Sequence, residues 1–301
     1  MENQYSLPAA ALLLTLACAA LPGRAQKPKK NIDDLYGRIA HDLGEGRPLV
    51  LTAHVALCDN DFQGIVKVKN PKICNGEKPG SNLYWGSGGG LKGYLAKEGW
   101  KNVLYEETPN ENLAVKAIWK RTFKPGKNLE EKGVSAKFDV FIVGLGYRGV
   151  KIRRATIDFL KAVHGDGETT QKLGDDLTLS YGGASHLVGY IGHNYFLDIT
   201  AADAKKIVKQ AAGESKLHKG VFALSCLGDA LIKPAITSPN AHILMLNKQL
   251  TYPGAWTVGG ILKAIAAGKN ASGIHHTASK AFAEGKKKNL GAILNAFSYG
   301  D

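Results

Sequence analysis

A histidine and a cysteine each follow a short apolar segment, and these two side chain types together can carry nucleophilic chemistry. His193 ends the segment 187–192, and Cys226 ends the segment 220–225. Both segments read as buried strands, because they consist almost entirely of apolar residues and glycine. A thiolate attacks a carbonyl carbon, and a nearby imidazole stabilises the thiolate and moves protons. The pattern predicts a cysteine–histidine pair if the two strands are neighbours in one sheet.

Each of these residues also has a simpler interpretation. A lone histidine at a strand end is often a hydrogen-bonded structural residue. A buried cysteine usually behaves as a small, inert hydrophobic residue. The residue types alone leave both interpretations open for His193 and for Cys226.

Two carboxylates follow another predicted strand, residues 48–57. They are Asp59 and Asp61, and in an open parallel sheet the loops after the strands meet at the edge where ligands bind. Carboxylates in that position would select a basic substrate side chain, or would bind a cation through their oxygens. The alternative is an Asx turn that opens a long loop, because Asp favours local hydrogen bonds there.

The elements that must position these groups alternate between strands and helices. Strands are predicted at residues 48–57, 102–106, 138–144, 187–192, 220–225 and 242–246, and helices at 31–47, 91–97, 150–163, 201–212 and 255–267. Residues 112–123 fit either a helix or one arm of a hairpin. The alternation predicts an α/β fold, with a mainly parallel sheet that helices cover on both faces.

No internal repeat or second core is visible in the sequence, so we expect a single domain over residues 26–301. Residues 59–90 are rich in Asn, Gly and Pro and form a long loop within it. Cys58 and Cys74 bracket part of this loop and are candidates for a disulfide. Without residues 1–25 the chain keeps an odd number of cysteines, so this pairing would leave Cys226 as a thiol.

The amino-terminal residues 1–25 are predicted to be a signal peptide. Residues 7–21 are an almost unbroken apolar run, and Gly23 and Ala25 are small residues of the kind that a signal peptidase requires. The run is shorter than the about 20 apolar residues of a membrane-spanning helix. Cys18 offers an alternative, lipidation at a lipoprotein cleavage site. We expect a secreted or periplasmic protein with no transmembrane segment after residue 25.

The formal net charge of +13 raises the question of an anionic partner. Most lysines are dispersed, and the dense runs at 27–30 and 286–288 have no nucleic-acid-binding motif around them, so no nucleic acid is expected. The glycines of residues 86–90 lack the Lys-Ser/Thr that completes a phosphate loop. The adjacent His275 and His276 project in different directions on a helix. We therefore expect neither a cofactor nor a metal.

The order of the two strand ends resembles that of a known group of enzymes. An apolar strand that ends in His, followed by a strand that ends in a small residue and Cys, resembles the caspase, legumain and gingipain cysteine peptidases, with residues 187–194 and 221–226 as the matching segments. The resemblance implies a caspase-like fold, His193 as general acid/base and Cys226 as nucleophile. It also implies that Gly192 and the main-chain amide of Cys226 lie near the oxyanion.

The match departs from those peptidases at two positions. Asn194 and Ser225 stand where they carry Gly after the His and Ala before the Cys. The segments 82–86 and 192–194 are also similar to segments of a group of uncharacterised exported bacterial proteins. The sequence thus predicts an exported cysteine peptidase, or a related amide hydrolase, that acts on a protein or peptide. The alternative is a non-catalytic envelope binding protein that holds a partner with its 59–90 loop.

Overall fold

The computed structural model describes residues 31–64, 67–250, 252 and 254–300. The predicted signal peptide, Cys18 and the basic run at 27–30 lie outside these residues. The described chain confirms the α/β prediction, since helices pack on both faces of one large sheet. None of its helices combines the length and the apolar character that crossing a membrane requires.

Within the described residues, the large sheet has eight strands in the order β10-β9-β8-β7-β1-β4-β3-β2. A separate hairpin pairs β5 with β6. The strands are β1 (Leu49–Ala56), β2 (Lys101–Glu107), β3 (Leu113–Phe123), β4 (Phe138–Tyr147), β5 (Thr169–Leu173), β6 (Leu177–Tyr181), β7 (Leu187–Ile191), β8 (Lys219–Leu224), β9 (Ala241–Asn247) and β10 (Phe297–Ser298).

The helices form two layers. They are α1 (Ile32–Gly44), α2 (Leu91–Lys97), α3 (Lys127–Glu131), α4 (Ile152–Val163), α5 (Ala201–Ala211), α6 (Gly228–Leu231), α7 (Trp256–Ala266), α8 (Ala271–Lys286) and α9 (Leu290–Ala296). Helices α4 and α5 cover one face, and α1, α2, α7 and α8 contribute to the apolar core on the other. Every residue of β1 is buried because both faces of the strand are covered.

The centre of the sheet is parallel and its edges are antiparallel. Strands β4, β1, β7, β8 and β9 run in the same direction, so their carboxyl ends share one edge. The ambiguous segment 112–123 is the strand β3, which pairs with β2 and β4 in antiparallel fashion. The strand predicted at 242–246 is β9, and the two-residue strand β10, which was not predicted, pairs with it in antiparallel fashion at the sheet edge.

The long loop after β1 is held in place at several points. Cys58 and Cys74 form a disulfide with their Cα atoms 4.7 Å apart. The buried side chain of Asn82 donates to the carbonyls of Cys58 and Asn75 at 2.9 and 3.0 Å, and it accepts the Cys58 amide at 3.1 Å. These bonds satisfy buried main-chain groups that a loop would otherwise leave unpaired. They fix this part of the loop against the carboxyl edge of the sheet.

Candidate active site

His193 and Cys226 follow the carboxyl ends of adjacent parallel strands. In the register of β7 and β8, Ile191 pairs with Leu224, and His193 and Cys226 each lie two positions beyond these paired residues. Neighbouring strands in a sheet are separated by about 4.8 Å. The two residues therefore leave the same edge of the sheet at equivalent positions, as the sequence-based hypothesis requires.

Asn194 joins the two strand ends. Its side-chain amide donates to the carbonyl oxygen of Cys226 at 2.7 Å, and its side-chain oxygen accepts the amide of Phe196 at 3.1 Å. The residue is buried. It caps the 3₁₀ turn Tyr195–Leu197 and at the same time holds the main chain at Cys226. The departure from Gly at this position thus has a structural role.

Asp198 lies against the imidazole of His193. Its two carboxylate oxygens are 2.8 and 2.9 Å from Nε2 of the ring. A carboxylate only accepts hydrogen bonds, so Nε2 carries the ring hydrogen and donates a hydrogen bond to Asp198. In the neutral ring, Nδ1 then holds the lone pair and is the basic nitrogen. The carbonyl of His193 also accepts a hydrogen bond from the Tyr190 hydroxyl at 2.8 Å, which fixes the main chain there.

Gly192 makes the turn from β7 into this segment. Its φ of 146° favours glycine, and a Cβ atom there would lie 2.7 Å from the carbonyl oxygen of Ala56. Its N–H donates to the carbonyl of Leu224 at 3.2 Å. The Gly192 amide would be able to bind an oxyanion only if this hydrogen bond broke. The resemblance implies a second donor to the oxyanion, the main-chain amide of Cys226.

Cys226 is not in a disulfide and its surface is partly exposed. The next residue, Leu227, has a left-handed conformation with φ of 52°, which costs a residue with a branched side chain about 1 kcal/mol. Tyr84 from the long loop interacts electrostatically with Cys226. The pKa of Tyr84 is raised well above the usual value, first by burial and then by the charge that an ionised Cys226 would carry. The hydroxyl of Tyr84 therefore keeps its proton at neutral pH.

Asp59 and Asp61 line a cleft of about 620 Å³ next to this edge. The cleft is also lined by Lys67, Lys69 and Glu77, so both signs of charge face it. One Asp59 oxygen accepts the amide of Asp61 at 3.0 Å, which is the geometry of an Asx turn. Asp59 is buried and Asp61 is exposed. A role for the pair in binding a basic side chain stays a prediction.

Asp198 was not among the site residues that the sequence pattern predicted. A carboxylate within five residues of a strand-ending histidine was the available signal, but many such pairs never meet. Within residues 31–64, 67–250, 252 and 254–300, no group of three or more His, Cys, Asp or Glu side chains is arranged to hold a metal ion.

Comparison with known proteins found no relative of this chain. No protein family, curated protein or solved structure matches the sequence.

Proposed function

We propose that this protein is an exported cysteine peptidase, or a related amide hydrolase, with Cys226 as nucleophile and His193 as general acid/base. The thiolate of Cys226 would add to the carbonyl carbon of an amide bond. As the tetrahedral intermediate collapses, the imidazolium of His193 gives a proton to the leaving amine, and a thioester remains on Cys226. Water, deprotonated by His193, would then hydrolyse the thioester and release a carboxylic acid and the thiol.

The observation that carries the proposal is the parallel register of β7 and β8 together with the bond from Asn194 to the Cys226 carbonyl. A nucleophile and its base must stay within hydrogen-bond reach of one another for the reaction to proceed. Two strand ends in one sheet, joined by a buried side chain, restrict the relative motion of His193 and Cys226. The site thus has the rigidity that a catalytic pair needs.

Asp198 supplies the third part of such a site. A carboxylate on one imidazole nitrogen selects the tautomer and stabilises the imidazolium that forms when the other nitrogen takes a proton. The bonds at 2.8 and 2.9 Å support this role for Asp198, with Nδ1 of His193 as the nitrogen that exchanges protons with the sulfur.

The proposal is tested by the rate at which iodoacetamide labels the folded protein near pH 7. Cys226 is expected to react faster than a thiol in the urea-unfolded chain, and His193→Gln to react about tenfold more slowly than wild type. Cys226→Ala should take no label at residues 31–300, because Cys58 and Cys74 form a disulfide. Mixed peptides incubated with wild type and Cys226→Ala, and compared by mass spectrometry, report amide cleavage. Labelling only after unfolding would exclude the nucleophile.

The second candidate is a non-catalytic binding protein that uses the loop after β1. The cleft of about 620 Å³ favours it, since the disulfide and the hydrogen bonds of Asn82 hold one wall of that cleft in place. A partner bound there would engage Asp61 and Lys69, both of which are exposed. Peptide binding that persists in Cys226→Ala, with no cleavage by wild type, would support this candidate instead.

A further inference from the structure

The segment from Asp59 to Gly64 is a rigid turn. The Asp59 carboxylate accepts the Asp61 amide at 3.0 Å, and the Asp59 amide donates to Oε1 of Gln63 at 3.3 Å. The buried Gln63 side chain also donates to the carbonyl of Leu57 at 2.6 Å and to that of Gly149 at 3.3 Å. The turn is therefore fastened to the ends of two neighbouring strands, β1 and β4.

This turn presents one main-chain amide to the candidate active site. The N–H of Gly64 donates a hydrogen bond to Oδ2 of Asp198 at 3.2 Å, and Asp198 also accepts the hydrogen bond from Nε2 of His193. The approach is so close that a Cβ atom on Gly64 would lie 2.2 Å from Oδ1 of Asp198. Only glycine leaves the carboxylate in its present position. A line of contacts thus runs from the turn through Asp198 to the imidazole of His193.

We propose that Gly64 is a positioning residue for His193 and acts by holding the carboxylate of Asp198. This inference rests on the proposed function and extends it to a residue 162 positions away from Cys226 in the sequence. The Asp198 side chain is partly exposed, with 17% of its surface accessible, and a free carboxylate rotates about its terminal torsion. The Gly64 hydrogen bond restricts that rotation and keeps the carboxylate aligned with Nε2.

The consequence is a single imidazole tautomer. While Asp198 accepts from Nε2, the neutral ring keeps its lone pair on Nδ1. If the carboxylate moves, both tautomers become populated, and the fraction with Nδ1 available as a base falls. The hydrogen bonds of the buried residues Asp59 and Gln63 also favour a single tautomer, because they fix the position from which the Gly64 N–H donates to Asp198.

The test uses the full chain with four single variants, one double variant that combines two of them, and the His193→Gln variant introduced above. Gly64→Ala forces the carboxylate to move, and Asp198→Asn removes its charge. Gln63→Met keeps the size of the side chain but loses the anchors, and provides a second way to disturb the turn if Gly64→Ala does not fold. Gly80→Ala is the matched control, because a Cβ atom at Gly80 in the same loop meets nothing within 4 Å.

Two measurements are made on each variant: the ¹⁵N signals of the His193 ring at a pH where it is neutral, and the iodoacetamide rate at Cys226. Wild type and Gly80→Ala should show one tautomer, protonated at Nε2, and the same rate. Gly64→Ala and Gln63→Met should show both tautomers and a lower rate, about tenfold lower for Gly64→Ala. The iodoacetamide rate of the double variant Gly64→Ala with Asp198→Asn should be no lower than that of Asp198→Asn alone. Both substitutions abolish the same effect, the alignment of the Asp198 carboxylate with Nε2 of His193.

The outcomes separate this inference from the proposed function. If Gly64→Ala keeps the single tautomer and the wild-type rate while His193→Gln and Asp198→Asn are slow, the positioning role of Gly64 is refuted and the hydrolase proposal stands. If His193→Gln and Asp198→Asn also react at the wild-type rate, both proposals are refuted.

Discussion

The side-chain amide of Asn194 donates a hydrogen bond to the main-chain carbonyl oxygen of Cys226, with 2.7 Å between the two atoms. The bond crosses from the end of β7 to the end of β8 and connects the segment that carries the proposed base, His193, to the segment that carries the proposed nucleophile, Cys226. Since the same side chain accepts the Phe196 amide, it also shapes the turn that leads to Asp198.

We expect Asn194→Ala to slow the alkylation of Cys226 and to lower the free energy of unfolding by about 2 kcal/mol, because it removes the two hydrogen bonds that the Asn194 side chain makes with the Cys226 carbonyl and the Phe196 amide. Urea unfolding and the iodoacetamide rate measure the two effects. Asn240→Ala is the matched control, since Asn240 donates a comparable bond to the Ser215 carbonyl at 2.8 Å. A control variant that slowed alkylation equally would show that the effect is general destabilisation.

Ser225→Ala should raise the free energy of unfolding by about 1 kcal/mol. The hydroxyl of Ser225 is fully buried and has no hydrogen-bond partner among the described residues, so its removal relieves a desolvation cost. Ser185→Ala should do the opposite, because the equally buried Ser185 hydroxyl is paired with that of Thr52 at 2.7 Å. Thermal and urea unfolding of both variants test this contrast, and a destabilised Ser225→Ala would contradict it.

The disulfide should contribute measurably to stability. Cys58 and Cys74 are 16 positions apart, and closing a loop of that length restricts the unfolded chain by about 3 kcal/mol in the chain-entropy description. The double replacement of both cysteines by Ala should therefore lower the urea midpoint, whereas Cys226→Ala should leave it close to that of wild type. Equal midpoints for wild type and the double variant would mean that the loop is ordered without the disulfide.

The protein should lose stability as the pH falls from about 6.5 towards 4. Burial lowers the pKa of His54 to about 4, and that of His186 to about 4 as well. Between the usual histidine value and these values the unfolded chain binds protons that the folded chain does not, so acid favours unfolding. One such histidine should lower the free energy of unfolding by on the order of 3 kcal/mol once the pH has fallen below both pKa values.

This pH effect can be assigned to His54 by substitution. Nδ1 of His54 lies 3.1 Å from the Tyr147 hydroxyl, which donates to Asp158 at 3.1 Å, and the ring also packs near Phe159. His54→Gln removes the titrating group, so its unfolding free energy should depend less steeply on pH between 6.5 and 4.5. His276→Gln, which alters an exposed histidine, should retain the wild-type slope. Identical slopes for wild type and His54→Gln would contradict the assignment.

Much of the fold follows from local sequence pattern. The continuous apolar runs predicted β1, β7 and β8, and their alternation with helices predicted a parallel sheet covered on both faces. Helices α8 and α9 were not predicted. The buried face of α8 mixes Ile274, Phe282 and two alanines with His275 and Ser279, which gives a weak periodic signal. Its burial comes mainly from packing against α7, with further contacts from α9 and β9.

The sequence by itself determined which strands would be followed by His193 and Cys226, because burial on both faces requires a run of apolar residues that a polar residue terminates. Only the tertiary structure decided which distant groups meet at that edge. Gly64 reaches Asp198 across 134 positions, and Asn194 reaches Cys226 across 32. Such contacts depend on the order of strands in the sheet and on the path of the loops. Those features arise from packing of the whole chain, and no short segment encodes them.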